Sequence, residues 1–151
     1  MTSFTPLDPD FANRVRDSFE RQQFMKTLGA TLAAVEPGFV EIHLPISPAV
    51  TQQHGFVHAG AVASIADSAC GYAAFSLMPA DAGVLAVEFK INLMAPAKGD
   101  KLIARGRVIR AGRTLSVCQA DVVGVTGKTE KTVAILTSTV MTMRGKEGIT
   151  G

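Results

Sequence analysis

The chain has 151 residues, 47% hydrophobic and 19% charged, with a formal net charge of +2. That is one domain of ordinary size, long enough for a real core. Near-neutral charge, few aromatics and no Trp argue against a nucleic-acid surface. Met1 to Asp10 is polar with no apolar run behind it, so no secretion signal is expected. Cys70 and Cys118 fall in apolar elements and read as buried thiols, which fits a reducing, cytoplasmic setting.

Asp8-Pro9-Asp10 reads as a helix start, with Asp8 as N-cap and Pro9 at the first helical position. Phe11, Val15 and Phe19 follow at i+4 spacing, with Phe24, Met25 and Leu28 behind them. One amphipathic lid helix over about 9–26 is expected. Ala30 to Val35 reads as a strand turning at Glu36-Pro37-Gly38. Phe39 to Ile46 alternates, with Val40, Ile42, Leu44 and Ile46 facing inward and Glu41 and His43 facing solvent. A loop over Ser47 to Val57 leads into a helix from Ala59 to Leu77. Strands then cover Val84 to Leu93, Lys101 to Arg110, Thr114 to Val125 and Glu130 to Arg144. A tight hairpin at Ala111-Gly112 and a turn at 126–129 make the last three an antiparallel meander. Gly145 to Gly151 reads as a frayed end.

The helix from Ala59 is anomalous. Ala, Gly and Ser fill most positions, and Asp67 is the only charged residue in it. Such a helix must be covered on nearly all sides. A membrane span is disfavoured by the central Asp and the lack of flanking basic residues. One antiparallel sheet curled round this helix buries both, giving an α+β fold.

A carboxylate in an apolar setting serves as a general base or nucleophile, and desolvation raises its pKa. At the helix start, the N–H groups near Ala59 and Gly60 are donors at the positive end of a dipole, suited to a carbonyl oxygen gaining charge. Gln52 offers a neutral amide for the same work. Ala59 and Asp67 are eight residues apart, about 12 Å along one helix. One carbonyl cannot reach both in one subunit. If both act on one substrate, the site is shared across a twofold dimer. Other readings stay open: Asp67 as a structural carboxylate, and His54 with His58 as metal ligands, against which Gly55 and the loop setting argue. Cys70 has no base placed to activate it as a nucleophile.

The run Gln52…His58-Ala59-Gly60…Asp67…Gly71, followed by Val87 to Asn92 and Met94-Ala95-Pro96, resembles the hotdog-fold acyl-CoA thioesterases of the PaaI type over about 28–143. The resemblance implies a sheet wrapped round a helix, paired into a homodimer and commonly a dimer of dimers, with no cofactor beyond the coenzyme A of the substrate. It implies that Asp67 activates water or attacks the thioester of a small aryl or short- to medium-chain acyl-CoA. It also implies that the Ala59 N–H of the other subunit binds the oxyanion, that Gln52 polarises the carbonyl and that His58 supports the site. Ala59 stands where Gly is usual, Gln52 where some members have Asn, and Ala86 where certain members have a water-orienting Ser. Ser64 and Ser68 are the hydroxyls that could substitute for it.

Arg110 and Arg113, with Lys98 and Lys90 behind them, are candidates for the coenzyme A phosphates, and read equally as solvated cations. Phe56, Val57, Tyr72, Phe89 and Met94 are candidates for the acyl pocket or for plain core. Two other functions fit the same residues: a hydroxyacyl-thioester dehydratase or enoyl hydratase using His58 with Asp67, and a non-catalytic acyl-CoA-binding protein. Neither a nucleic acid nor a membrane is expected as a partner.

Overall fold

The computed structural model describes residues 4–145 and 148–149. Two short helices, α1 (Phe11–Arg21) and α2 (Gln23–Leu28), precede strands β1 (Thr31–Glu36) and β2 (Phe39–Pro45). A 3-10 turn (Pro48–Val50) and a loop lead to α3 (Ala59–Phe75). Four strands follow: β3 (Ala82–Leu93), β4 (Lys101–Arg110), β5 (Leu115–Thr126) and β6 (Thr129–Arg144). All pairings are antiparallel, in the order β1-β2-β4-β5-β6-β3. The expected α+β hotdog architecture and the β4-β5-β6 meander are both present.

The alternation in β2 decides which face is inward. Val40, Ile42 and Leu44 are fully buried against α3, while Glu41 and His43 lie on the outer face. There Glu41 accepts from His43 and Arg105, and Arg105 also forks onto Glu130. Burial raises the Glu41 pKa, but the bonds from Arg105 and His43 outweigh it and hold the carboxyl below its usual value. The inner face closes on α3, whose Ile65, Ala66, Ala69, Cys70, Ala73 and Phe75 have no exposure.

The small residues of α3 have a specific reason at β4. A Cβ added at Gly106 would lie 2.3 Å from the carbonyl carbon of Ala69 and 2.7 Å from the amide nitrogen of Cys70. Helix backbone therefore rests directly on strand backbone, an approach that only glycine permits.

The N-terminal segment differs from the sequence expectation in two ways. α1 starts at Phe11 with Asp10 in the N-cap position, so Asp8 is not the cap. Asp8 is buried instead, accepting from the Asp10 N–H at 2.9 Å and from Arg14 at 2.7 Å. Arg14 then donates to the carbonyls of Phe75 and Met78 at 3.2 and 2.7 Å and lies 4.1 Å over the Phe75 ring. It thereby adds a donor to carbonyls at and just past the α3 C-terminus, where intrahelical partners run out. The single lid helix is also interrupted, at Gln22. Val15 and Phe19 bury one face of α1, but the next buried position, Met25, is six residues on and out of phase with them.

β3 is one of the two edge strands of the sheet. It runs twelve residues, bulges at Val87 and leaves Leu85, Val87, Phe89 and Leu93 about half exposed. Strand ends otherwise fall within two residues of expectation, although the β4–β5 connection is a four-residue loop over 111–114 rather than a two-residue turn. Of the expected frayed end, residues 146, 147, 150 and 151 lie outside the described residues.

Gly106→Ala is expected to destabilise the fold by about 3 kcal/mol, because neither backbone can retreat. Urea unfolding with an unchanged m-value would check it, and a loss under about 0.5 kcal/mol would contradict the packing described.

Candidate functional site

Residues 51–58 form a small closed loop before α3. Thr51 bridges Val57, the Gln52 N–H bonds the Phe56 carbonyl at 2.8 Å, and Gly55 turns the chain at φ +82°. The Val57 N–H bonds the Ala97 carbonyl and the His58 N–H the Val50 carbonyl, both at 2.9 Å. These bonds fix the helix start against the segment after β3.

His58 is the N-cap of α3. Its Nδ1 accepts from the Gly60 N–H at 2.9 Å, and its carbonyl accepts from Ala61 and Val62. The Gly60 N–H is thus engaged by His58. The exposed Ala59 N–H has no partner among the described residues and remains the available donor. The side-chain oxygen of Gln52 accepts from the His54 N–H, which leaves its NH2 group as a donor. Gln52, Phe56, Val57, His58, Ala59 and Met94 all line one cavity of about 610 Å³.

Asp67 lies elsewhere. It is half-buried two turns along α3, and its Oδ1 is buried with no hydrogen-bond partner. Desolvation raises its pKa above the ordinary 3.8. It lines a second cavity of about 220 Å³ with Ser18, Gln22, Ser68, Gly71, Tyr72, Val84 and Ala86. The uninterrupted α3 keeps this carboxylate about 12 Å of helix rise from Ala59.

Of the two hydroxyls considered in place of the missing Ser, Ser64 bonds the Gly60 carbonyl at 2.7 Å, whereas Ser68 lines the Asp67 cavity. Tyr72 is buried, edge-on to Phe19 and Phe75, with its hydroxyl 3.3 Å from Ser18. Burial raises the Cys70 thiol pKa well above its usual value and that of Cys118 to about 12, so both stay protonated. Both are free thiols.

The remaining predicted residues are dispersed. Phe89 and Lys90 lie exposed on β3 between the two cavities, and Lys98 follows Ala97 of the larger one. Arg110 ends β4, and Arg113 lines a third cavity with Ala74, Leu77 and Met78 beyond the α3 C-terminus. Ser18 and Gln22 were missed by sequence reasoning. The phase slip between Phe19 and Met25 was the available signal for the break that exposes Gln22.

A sheet curled round one helix, with a capped helix start and a half-buried helix carboxylate, is the architecture that the hotdog resemblance implies. The thioesterase superfamily model matches residues 54–131. The chain belongs to this family and is a thioester hydrolase. A thioesterase family protein from Silicibacter pomeroyi is 49% identical, with TM-score 0.88, covering 89% of this chain and 99% of that one. Human acyl-coenzyme A thioesterase 13 is 29% identical over 127 residues, 82% of this chain and 90% of that protein. The E. coli PaaI protein shares the fold at 24% identity and TM-score 0.80, covering 93% and 98% of the two chains. No helix among the described residues is long and apolar enough to cross a membrane.

Gly71 gives a test of the smaller cavity. It sits in the helix interior four residues after Asp67, and a Cβ there would meet nothing within 4 Å. The fold does not require glycine at this position. Gly71→Ala is expected to stabilise the protein by about 0.5–1 kcal/mol while lowering thioester kcat/KM, because its methyl enters the cavity. Denaturant melts and kinetics on the same sample would read the opposed signs.

Proposed function

We propose that this thioesterase hydrolyses small acyl-CoA thioesters at a site completed across a twofold homodimer. The observation that carries the proposal is the separation of the site residues into two cavities at opposite ends of β3. Gly83, Val84 and Ala86 border the Asp67 cavity, whereas Leu93 and Met94 border the cavity with Gln52 and Ala59. The edge between them is long, apolar and unpaired among the described residues. Antiparallel pairing of two such edges about an axis near Phe89 sets Val84 opposite the partner subunit's Met94. Each Asp67 then faces a helix start from the other copy. The outer face around Ile109, Leu115 and Val117, also half-exposed, leaves a second apolar surface for pairing of dimers.

In this assembly the thioester carbonyl oxygen lies between the Ala59 N–H and the Gln52 amide NH2. Asp67 takes a proton from water as the water oxygen attacks the carbonyl carbon. The two donors stabilise the oxyanion, whose collapse breaks the C–S bond and releases the coenzyme A thiolate with the acid. Attack by the carboxylate itself gives an anhydride that water then opens. A 220 Å³ space beside Asp67 suits one ring or a short chain, given that a cavity of about 150 Å³ holds benzene. We assign the coenzyme A phosphates to exposed cations, with Lys98 beside the larger cavity and Lys90, Arg110 and Arg113 as the others.

Thiol release over an acyl-CoA panel is the primary assay, and Asp67→Ala should lose about 10²–10⁴ in rate. An unchanged rate would remove Asp67 from the mechanism. The wild-type rate should fall on the acid side with a midpoint above 3.8, since the base must be ionised. The same raised pKa means that the folded chain binds this proton better than the unfolded one. Ionised Asp67 therefore costs stability at neutral pH, and the cost is relieved as pH falls through the raised pKa. Asp67→Asn should accordingly raise the Tm at pH 7, by an amount that shrinks on acidification.

Shared sites are tested by complementation. Ala59→Pro deletes the oxyanion donor at the first helical position, where proline is tolerated. His58 already has the extended backbone (φ −61°, ψ 137°) that a following proline requires. Ala59→Pro and Asp67→Ala should each be inactive, and reassociated mixtures should recover about a quarter of wild-type activity, from one intact site in half of the dimers. No recovery from subunits shown to exchange would place the whole site in one chain.

A further inference from the structure

The Asp67 cavity has a polar wall that hydrolysis itself does not use. α1 stops at Arg21, Gln22 is extended at φ −77° and ψ 95°, and α2 begins at Gln23. The half-buried Gln22 carboxamide thereby joins the wall beside Asp67 and Ser68. Its oxygen is 3.5 Å from the Ser68 hydroxyl, the outer limit of a hydrogen bond, and its NH2 has no partner among the described residues. Beside it stand the hydroxyls of Ser18 and Tyr72, 3.3 Å apart, which can rotate to donate or accept. The other lining residues, Gly71, Gly83, Val84, Ala86 and Ile149, bring no polar side-chain atom. The wall thus draws hydrogen-bonding groups from α1, the break after it and α3, and small apolar ones from β3.

We propose that Gln22 is a specificity-determining residue, whose carboxamide binds a hydroxyl or similar hydrogen-bonding group carried by a single ring or short acyl chain. The proposal rests on the thioesterase reading above, because the acyl group must lie beside Asp67 for its carbonyl to react. A plain alkyl or aryl group filling this space would strip water from the Gln22 amide without replacing its hydrogen bonds. A hydroxylated group replaces them. Sites built to hydrogen-bond a substrate hydroxyl discriminate strongly against the analogue that lacks it.

The test separates binding from turnover. In an Asp67→Asn background, calorimetry would compare benzoyl-CoA with 3- and 4-hydroxybenzoyl-CoA. At least one hydroxylated thioester should bind about fivefold more tightly than benzoyl-CoA, and Gln22→Met, close in shape, should bring the ratio to about one. Ser18→Ala gives a second variant should Gln22→Met fail to fold by circular dichroism, and it should also reduce the ratio. A ratio unchanged in the folded variants, a preference for benzoyl-CoA, or no binding of any of the three overturns the proposal. Turnover of the same thioesters by the wild-type protein is scored separately. A Gln22-dependent binding ratio without Asp67-dependent hydrolysis would sink the hydrolytic reading and leave this one standing. The reverse result would do the opposite.

Discussion

The contact of α3 with Gly106 sets the terms for everything around it. A helix whose backbone lies on strand backbone cannot carry large side chains on that face, so Ala66, Ala69 and Ala73 fill it. With the helix seated this deep, the sheet can curl far enough for β3 to flank it as well as β4. Asp67 is thereby half-buried between α3, β3 and the N-terminal helices, where desolvation raises its pKa without neutralising charges beside it. A bulkier helix would stand off the sheet and open the carboxylate to water.

The helix start shows a similar economy of donors. An α-helix begins with several unpaired N–H groups, any of which could bind an anion. Here the His58 imidazole takes the one from Gly60, which leaves Ala59. A single fixed donor, backed by the Gln52 amide, is a more selective arrangement than an open helix end. The hydrogen bonds from the loop to Val50 and Ala97 hold it in place.

Much of this was legible in the residues. Alternation gave the inward face of β2, and the composition of α3 required that it be enveloped. The separation of Ala59 from Asp67 is a property of helical rise alone and needed no tertiary information. What escaped was non-local. That β3 pairs with β6 and forms the edge follows from long-range pairing that no local pattern encodes. The bulge at Val87, which reverses the alternation along β3, has no residue signature. Asp8 looked like an N-cap because Asp-Pro is a good helix start, but its pairing with Arg14 and the role of Arg14 at the far end of α3 prevailed. Gln22 is a good helix former, so the break there is visible only as a phase slip between buried positions.

The interruption between α1 and α2 also has a consequence for how such a protein diversifies. The segment that matches the family begins at residue 54 and holds Asp67 and the capped helix start, whereas Ser18 and Gln22 precede it. On the mechanism proposed above, Asp67 and part of the wall facing it therefore reside in separable stretches of chain, joined by the Arg14 clamp. Changes in the N-terminal helices can remodel that wall while the reacting groups stay where the sheet holds them. On that reading, an exchange of residues 4–28 between relatives grafts a new wall onto a constant catalytic frame.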